Sequence, residues 1–144
     1  MREIRIEQPG DVAGATEAQR LGRAYVDAYN QRDLEAMLAV LAPDVVAYPS
    51  PLFERRPANV GHDGVRAWWQ TMLDADRWYE VAVSHIRQAT DGRWAIVGEI
   101  QHGGLVESPW LLVFRIKDGL ISESRSYLSD EHVVAGLGRL QKPG

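Results

Sequence analysis

Near Trp78 the apolar residues of this chain change their period, and that change limits what the chain can fold into. Before it, they recur every three or four residues. Leu21, Tyr25, Ala28 and Tyr29 make one stripe, Leu34, Met37, Leu38 and Leu41 a second, and Val65, Trp69, Met72 and Leu73 a third. Each stripe gives one apolar helix face. After it, the segments Trp78 to Ala89, Arg93 to Gly103, Leu105 to Lys117 and Leu120 to Leu128 alternate apolar with polar residues, which is the period of strands. Helices first and strands afterwards predict an α+β fold, with the helices on one face of a curved sheet.

Local signals divide these segments. The first helix is expected from Glu17 to Gln31. Asp33 can cap the second by accepting from free backbone N–H groups. Ala42-Pro43 should end that helix, because proline disfavours helix at the residue before it. A short strand is expected from Asp44 to Tyr48. Pro49 to Gly61 carries Pro49, Pro51 and Pro57 and reads as a loop, with Leu52 and Phe53 folded inward; loops of this length often form functional rims or lids. The third helix is expected from His62 to Ala75. Thr90-Asp91-Gly92, Gly103-Gly104 and Lys117-Asp118-Gly119 read as hairpin turns, since glycine accepts positive φ without steric cost. Three successive hairpins make an antiparallel meander. Asp130 to Leu140 reads as a short terminal helix. Residues 1–16 read as a flexible lead-in or an edge strand over Arg2 to Glu7, and residues 17–144 as a single domain.

Composition narrows the partners. Acids outnumber bases for a net charge of −4, and no basic stripe emerges, which argues against nucleic acid or an anionic membrane. There is no cysteine, so disulfides, thiolate metal sites and a Cys nucleophile are excluded. No His or acid pair has the spacing of a metal site. The segment MREIRIEQPG lacks the apolar core of a signal peptide, so a cytoplasmic protein is the expectation.

The segments YVDAYNQRDLEAMLAVLAPDV, GHDGVRAWW and VFRIKDGLISESRSYL, with Gly138 after Leu137, occur in an order and spacing that resembles the SnoaL-like branch of the nuclear transport factor two-like superfamily. The resemblance covers about Glu17 to Gly138. It implies a cone-shaped fold: three N-terminal helices on a strongly curved, mostly antiparallel sheet, closed by a short C-terminal helix, around a small-molecule pocket. The superfamily includes isomerases, cyclases and hydrolases alongside binding proteins, so fold alone does not decide the reaction.

The resemblance is informative where it fails. Tyr25 matches the first-helix Tyr of ketosteroid isomerases, an oxyanion donor. Their general-base Asp matches Pro49, and their protonated Asp matches Leu112, ahead of Phe114-Arg115. A proline cannot take a proton and a leucine cannot donate one. Limonene epoxide hydrolase places Asp-Tyr where Ser126-Tyr127 stands, and its Arg-x-Asp meets Gly98-Glu99-Ile100-Gln101.

The remaining candidates are weighed singly. Glu99, in step with Ala95, Val97 and Gln101, would be a general acid or base if its face is buried and concave. On the convex face it is a solvated surface acid. His85, in step with Val81 and Val83, reads as a packing residue, and His62 as helix capping. By the parity implied by the match at Leu112, Trp110, Leu112 and Phe114 face the pocket, as do Ser124, Ser126 and Leu128. Arg125 and Tyr127 then face the other way, towards a dimer contact. The expected site is therefore Glu99 and Tyr25 for chemistry, with Tyr48, Trp69, Gln101, Trp110, Leu112, Phe114 and Ser126 around a small hydrophobic molecule. Two functions follow. One is a cofactor-independent isomerase, cyclase or hydrolase acting on a hydrophobic cyclic compound. The other is a non-catalytic ligand-binding or accessory protein that forms a homodimer through its sheet.

Overall fold

The computed structural model describes residues 15–48, 58–75, 79–88, 92–103 and 105–127. The expected lead-in strand, most of the proline-rich loop, Trp78, Leu128 and the expected terminal helix lie outside the described residues.

Helix α1 (Ala15–Asn30) buries Ala18, Leu21, Tyr25, Val26, Ala28 and Tyr29, as its stripe requires. It ends in a tight reversal. Arg32 takes a left-handed φ of 54°, and the N–H of Asp33 donates back to the carbonyl of Ala28 at 2.9 Å. This is a Schellman-type stop with arginine in the position glycine usually fills. Asp33 then caps α2 (Leu34–Val40), its Oδ1 accepting from the N–H of Ala36 at 3.1 Å. The helix stops at Val40, earlier than Ala42-Pro43 suggests. Strand β1 (Leu41–Tyr48) begins at once and contains Pro43. Leu41 pairs with Ile121, and the register shifts before Val46, in the segment where Pro43 has no N–H to give.

Strand β2 (Asn59–Val60), not expected from the sequence, pairs antiparallel with β1. Gly61, at φ 69°, opens α3 (Gly61–Ala75). His62 Nε2 donates to the Leu41 carbonyl at 2.9 Å, so it ties α3 to β1 rather than capping its own helix. Strands β3 (Glu80–Gln88), β4 (Trp94–His102), β5 (Leu105–Lys117) and β6 (Leu120–Tyr127) form the expected meander. Asp118 and Gly119, both at positive φ, make the turn between β5 and β6. The sheet order is β2-β1-β6-β5-β4-β3, antiparallel except for β1 beside β6. Among the described residues, three helices and a six-stranded curved sheet thus form an α+β domain. No helix among them is long and apolar enough to cross a membrane.

The helices pack on one face of the sheet, the inner face. The main core joins residues of α1, α2 and α3 to Ile86, Trp94, Ile96, Ile100, Trp110, Leu112, Phe114 and Ile121. Ala95, Leu111, Val113 and Tyr127 form a second cluster on the outer face.

Asn30 fastens α1 to the sheet. Its Nδ2 donates to the Val81 carbonyl and its Oδ1 accepts from the Val81 N–H, both at 2.9 Å. The side chain thus stands in for one residue of a neighbouring strand on the free edge of β3. Asn30→Ala should cost about 2 kcal/mol, one share for each lost bond and a further share for edge groups left half-satisfied. Urea unfolding checks this, and a loss below about 0.5 kcal/mol would contradict it.

Candidate functional site on the helix-facing side of the sheet

Strand register assigns each candidate side chain to a face. Across the inner face, Ile86, Ile96, Leu112 and Ser126 form one row, and Trp94, Phe114, Ser124 and Ala47 another. A third row runs from Val83 through Gly98 to Trp110. Five expected site residues, Tyr25, Trp69, Trp110, Leu112 and Phe114, belong to the main buried core. Ser126 lies on the same face, opposite Leu112. The parity expected for β5 and β6 is the parity found.

The other three candidates are elsewhere. Glu99 is in step with Ala95 and Val97, whose neighbours are the outer cluster, and faces Pro109 and Ala82 across the ladders. Its Oε1 accepts from Gln101 Nε2 at 2.9 Å, so these two polar side chains serve each other. Tyr48 pairs with Arg125, whose guanidinium carbon lies 3.8 Å from the centre of the Tyr48 ring. That contact holds the phenol on the outer face by a cation–π attraction. His85 also moves to the outer face, beside Val97, and not with Val81 and Val83 as alternation suggests. The reason is a bulge between Val83 and His85, which reverses the parity of the strand.

The inner face is short of groups that exchange protons near neutrality. Among the described residues, no Asp, Glu or His is buried; the buried polar side chains are Arg87, Arg93 and Ser124. What the inner face does hold is two phenols one helical turn apart. Burial pushes the Tyr25 hydroxyl far above its ordinary pKa, and the Tyr29 phenol adds to the shift. Burial likewise pushes Tyr29 up to about 12, opposed by a hydrogen bond with the Tyr79 backbone. Both therefore stay neutral hydrogen-bonding groups through the physiological range. Tyr29 was not among the expected site residues, although its spacing of four from Tyr25 places it on the same helix face. Ser124, opposite Phe114 and 2 % exposed, is a further inward hydroxyl.

The shifts have a pH consequence. A phenol whose folded pKa exceeds its unfolded value stabilises the fold fully below the unfolded value near 10, and that contribution falls as pH rises towards the folded value. Stability should therefore decline above about pH 10. In a spectrophotometric titration, Tyr25 and Tyr29 should resist ionisation until the fold opens, and Tyr127, also raised by burial, should ionise later than an exposed tyrosine. Titration of all five near pH 10 would contradict this burial.

Trp68 and Trp69 meet edge to face on α3, with ring centroids 6.2 Å apart. Among the described residues, no group of three or more His, Asp or Glu could hold a metal ion. The arrangement can enclose an apolar surface and offer it hydroxyl groups.

The SnoaL-like domain family matches residues 22–124. The chain belongs to that family. No curated protein matches the sequence. Solved structures similar to this SnoaL-like domain include a SnoaL-like protein of unknown function from Burkholderia thailandensis, 22% identical with a TM-score of 0.63, covering 79% of this chain and 96% of that one. A nuclear transport factor two-like protein of unknown function from Burkholderia pseudomallei is 20% identical, with a TM-score of 0.63 over 83% of this chain and 95% of its own. A proposed polyketide cyclase from Sinorhizobium meliloti is 20% identical, with a TM-score of 0.60 over 74% of this chain and 93% of its own. At these identities the likeness is one of fold.

Proposed function

We propose that this SnoaL-like domain binds a small, neutral, largely hydrophobic molecule between its helices and the inner face of its sheet, without catalysing proton transfer. The supporting observation is the composition of that face. Trp69, Trp110, Leu112 and Phe114 supply apolar and aromatic surface, and Tyr25 supplies a neutral hydroxyl in their midst. A charged ligand would lose its hydration there with no buried counter-charge from an acid or a histidine to replace it. A flat ring system with one hydrogen-bond acceptor fits these groups best. In this reading Ser126 borders the ligand, while Tyr48, Glu99 and Gln101 do not touch it. The protein works without a cofactor, in the cytoplasm, and pairs with a second copy.

An enzyme reading remains as the alternative, and the likeness to a proposed polyketide cyclase favours it. There, Glu99 would be the acid or base and Tyr25 the donor on a cyclic substrate.

One set of variants separates the two. Native mass spectrometry of the purified protein identifies the copurifying compound, and tryptophan fluorescence then measures its affinity. Tyr25→Phe should weaken binding roughly 3- to 10-fold, the scale of one lost hydrogen bond. Glu99→Gln should leave affinity unchanged. Conversion of the compound by the wild-type protein, abolished in Glu99→Gln, would overturn the binding reading in favour of the enzyme.

A further inference from the structure

The inner face of the sheet continues past the end of α1. That helix stops at Asn30, whose side chain is bonded to Val81. In this row the sheet is still covered, since Val81 is 8 % exposed and its partner Ile100 is 4 % exposed. Two residues further along the strands stand Tyr79 and His102, and Leu105 of β5 pairs with His102. Here the cover ends: His102 is exposed, and Leu105 is 72 % exposed. His102 keeps the parity of Ile100 on β4, so it belongs to the helix-facing side. Its ring meets the Tyr79 ring edge to face, with centroids 5.5 Å apart, and Tyr79 packs against the main core. Tyr79, His102 and Leu105 therefore form an open rim to the inner face.

We propose that this rim is the outer subsite of the ligand site, where His102 donates a hydrogen bond to a second acceptor at the far end of an elongated, neutral ring compound. The inference rests on the binding of a ring compound between helices and sheet, and adds where its other end lies. Three observations carry it. First, polar groups connect the two ends. Tyr25 and Tyr29 stand one helical turn apart, Tyr29 hydrogen-bonds the Tyr79 backbone, and the Tyr79 ring touches His102. Second, His102 has a donor to give. A neutral imidazole carries one N–H in either tautomer. His62 uses its Nε2 on the Leu41 carbonyl, and His85 has its Nδ1 3.2 Å from the Ser84 hydroxyl. Among the described residues, no hydrogen bond engages the His102 ring. Third, the flanks are apolar. Tyr79 on the β3 side and Leu105 on the β5 side border the imidazole, and such neighbours strengthen a hydrogen bond by lowering the local dielectric. The span also sets the shape of the ligand. His102 lies four residues beyond Gly98, which faces Trp110, a distance of about 13 Å along β4. A fused two-ring core with an acyl group at each end suits that distance.

Two probes test the rim. 2-Acetonaphthone carries one acceptor, and 2,6-diacetylnaphthalene carries one at each end of the same rings. Tryptophan fluorescence measures the affinity of each for the wild-type protein and for His102→Phe. Phenylalanine keeps an edge-to-face partner for Tyr79 and removes the N–H. The proposal expects 2,6-diacetylnaphthalene to bind His102→Phe roughly 3- to 10-fold more weakly than wild type, with 2-acetonaphthone unchanged. Tyr25→Phe, by contrast, should weaken both probes. An equal loss for the two probes in His102→Phe, or a loss for neither, would overturn the rim subsite and leave the inner site standing. Failure of both probes to bind the wild-type protein would overturn the binding reading of the inner face, and the rim subsite with it.

Discussion

Gly98→Ala should cost this domain about 3 kcal/mol, a large effect for one added methyl group. A Cβ at position 98 would clash with the carbonyl oxygen of Ala82 and lie 3.1 Å from its carbonyl carbon and 3.3 Å from Val83 Cα. All three are backbone atoms of the neighbouring strand, so no side-chain rotation relieves the clash. The strands must separate, and they are least able to do so here. Val83 is paired with Gly98 immediately before the bulge that sends His85 to the other face. A bulge bends its strand and increases local twist, and this one presses β3 onto β4 where only glycine fits. Gly22 offers a contrast. A Cβ there would meet the Cδ1 of Ile86 at 2.9 Å, the far end of a flexible side chain, and Gly22→Ala should cost much less. Urea midpoints of the two variants make the comparison. A Gly98→Ala protein within about 1 kcal/mol of wild type would contradict the close backbone approach.

Trp110→Ala should cost about 3–5 kcal/mol, the range for truncating a large buried aromatic. Trp110 is 5 % exposed, belongs to the main core and stands directly opposite Gly98. The indole therefore covers the strand where glycine has no side chain to pack, a pairing that supports sheets at such positions. The same residue is a wall of the proposed ligand site. Trp110→Phe separates the two roles. It retains a ring over Gly98, so most of the stability should return, while the ligand loses part of its wall and affinity should fall. Chemical denaturation and ligand titration on the two variants check this. Equal stability of Trp110→Ala and wild type would remove Trp110 from the core.

How far the sequence could carry this reading depended on local regularity. The parity of β5 is legible because Trp110, Leu112 and Phe114 lie on a stretch whose register with β4 is unbroken from Trp94 to Ile100. The turn at Asp118-Gly119 is legible because few residues accept two successive positive φ values. The face of Glu99 was not legible. The apolar residues Ala95 and Val97 precede it on one row and Ile96 and Ile100 lie on the other, so both faces of β4 look inward. Alternation marks the core side only where the opposite side is wet. The exchange of His85 to the outer face had no signal either, because Ser84 gives no warning of a bulge. Strand β1 began earlier than Pro43 suggested because its pairing with β6 at Leu41 outweighed local preference. The face of each apolar residue on β5 was thus readable, and the face of the polar residues on β4 was not.

The most direct test is the position of a bound ligand. Nuclear Overhauser contacts can be measured from a flat neutral ketone such as 2-acetonaphthone, or from the copurifying compound, to the labelled aromatic side chains. Contacts to Tyr25, Trp69, Trp110 and Phe114 are the predicted result. Contacts confined to Tyr48, Arg125 or Glu99, across the sheet, would contradict the account.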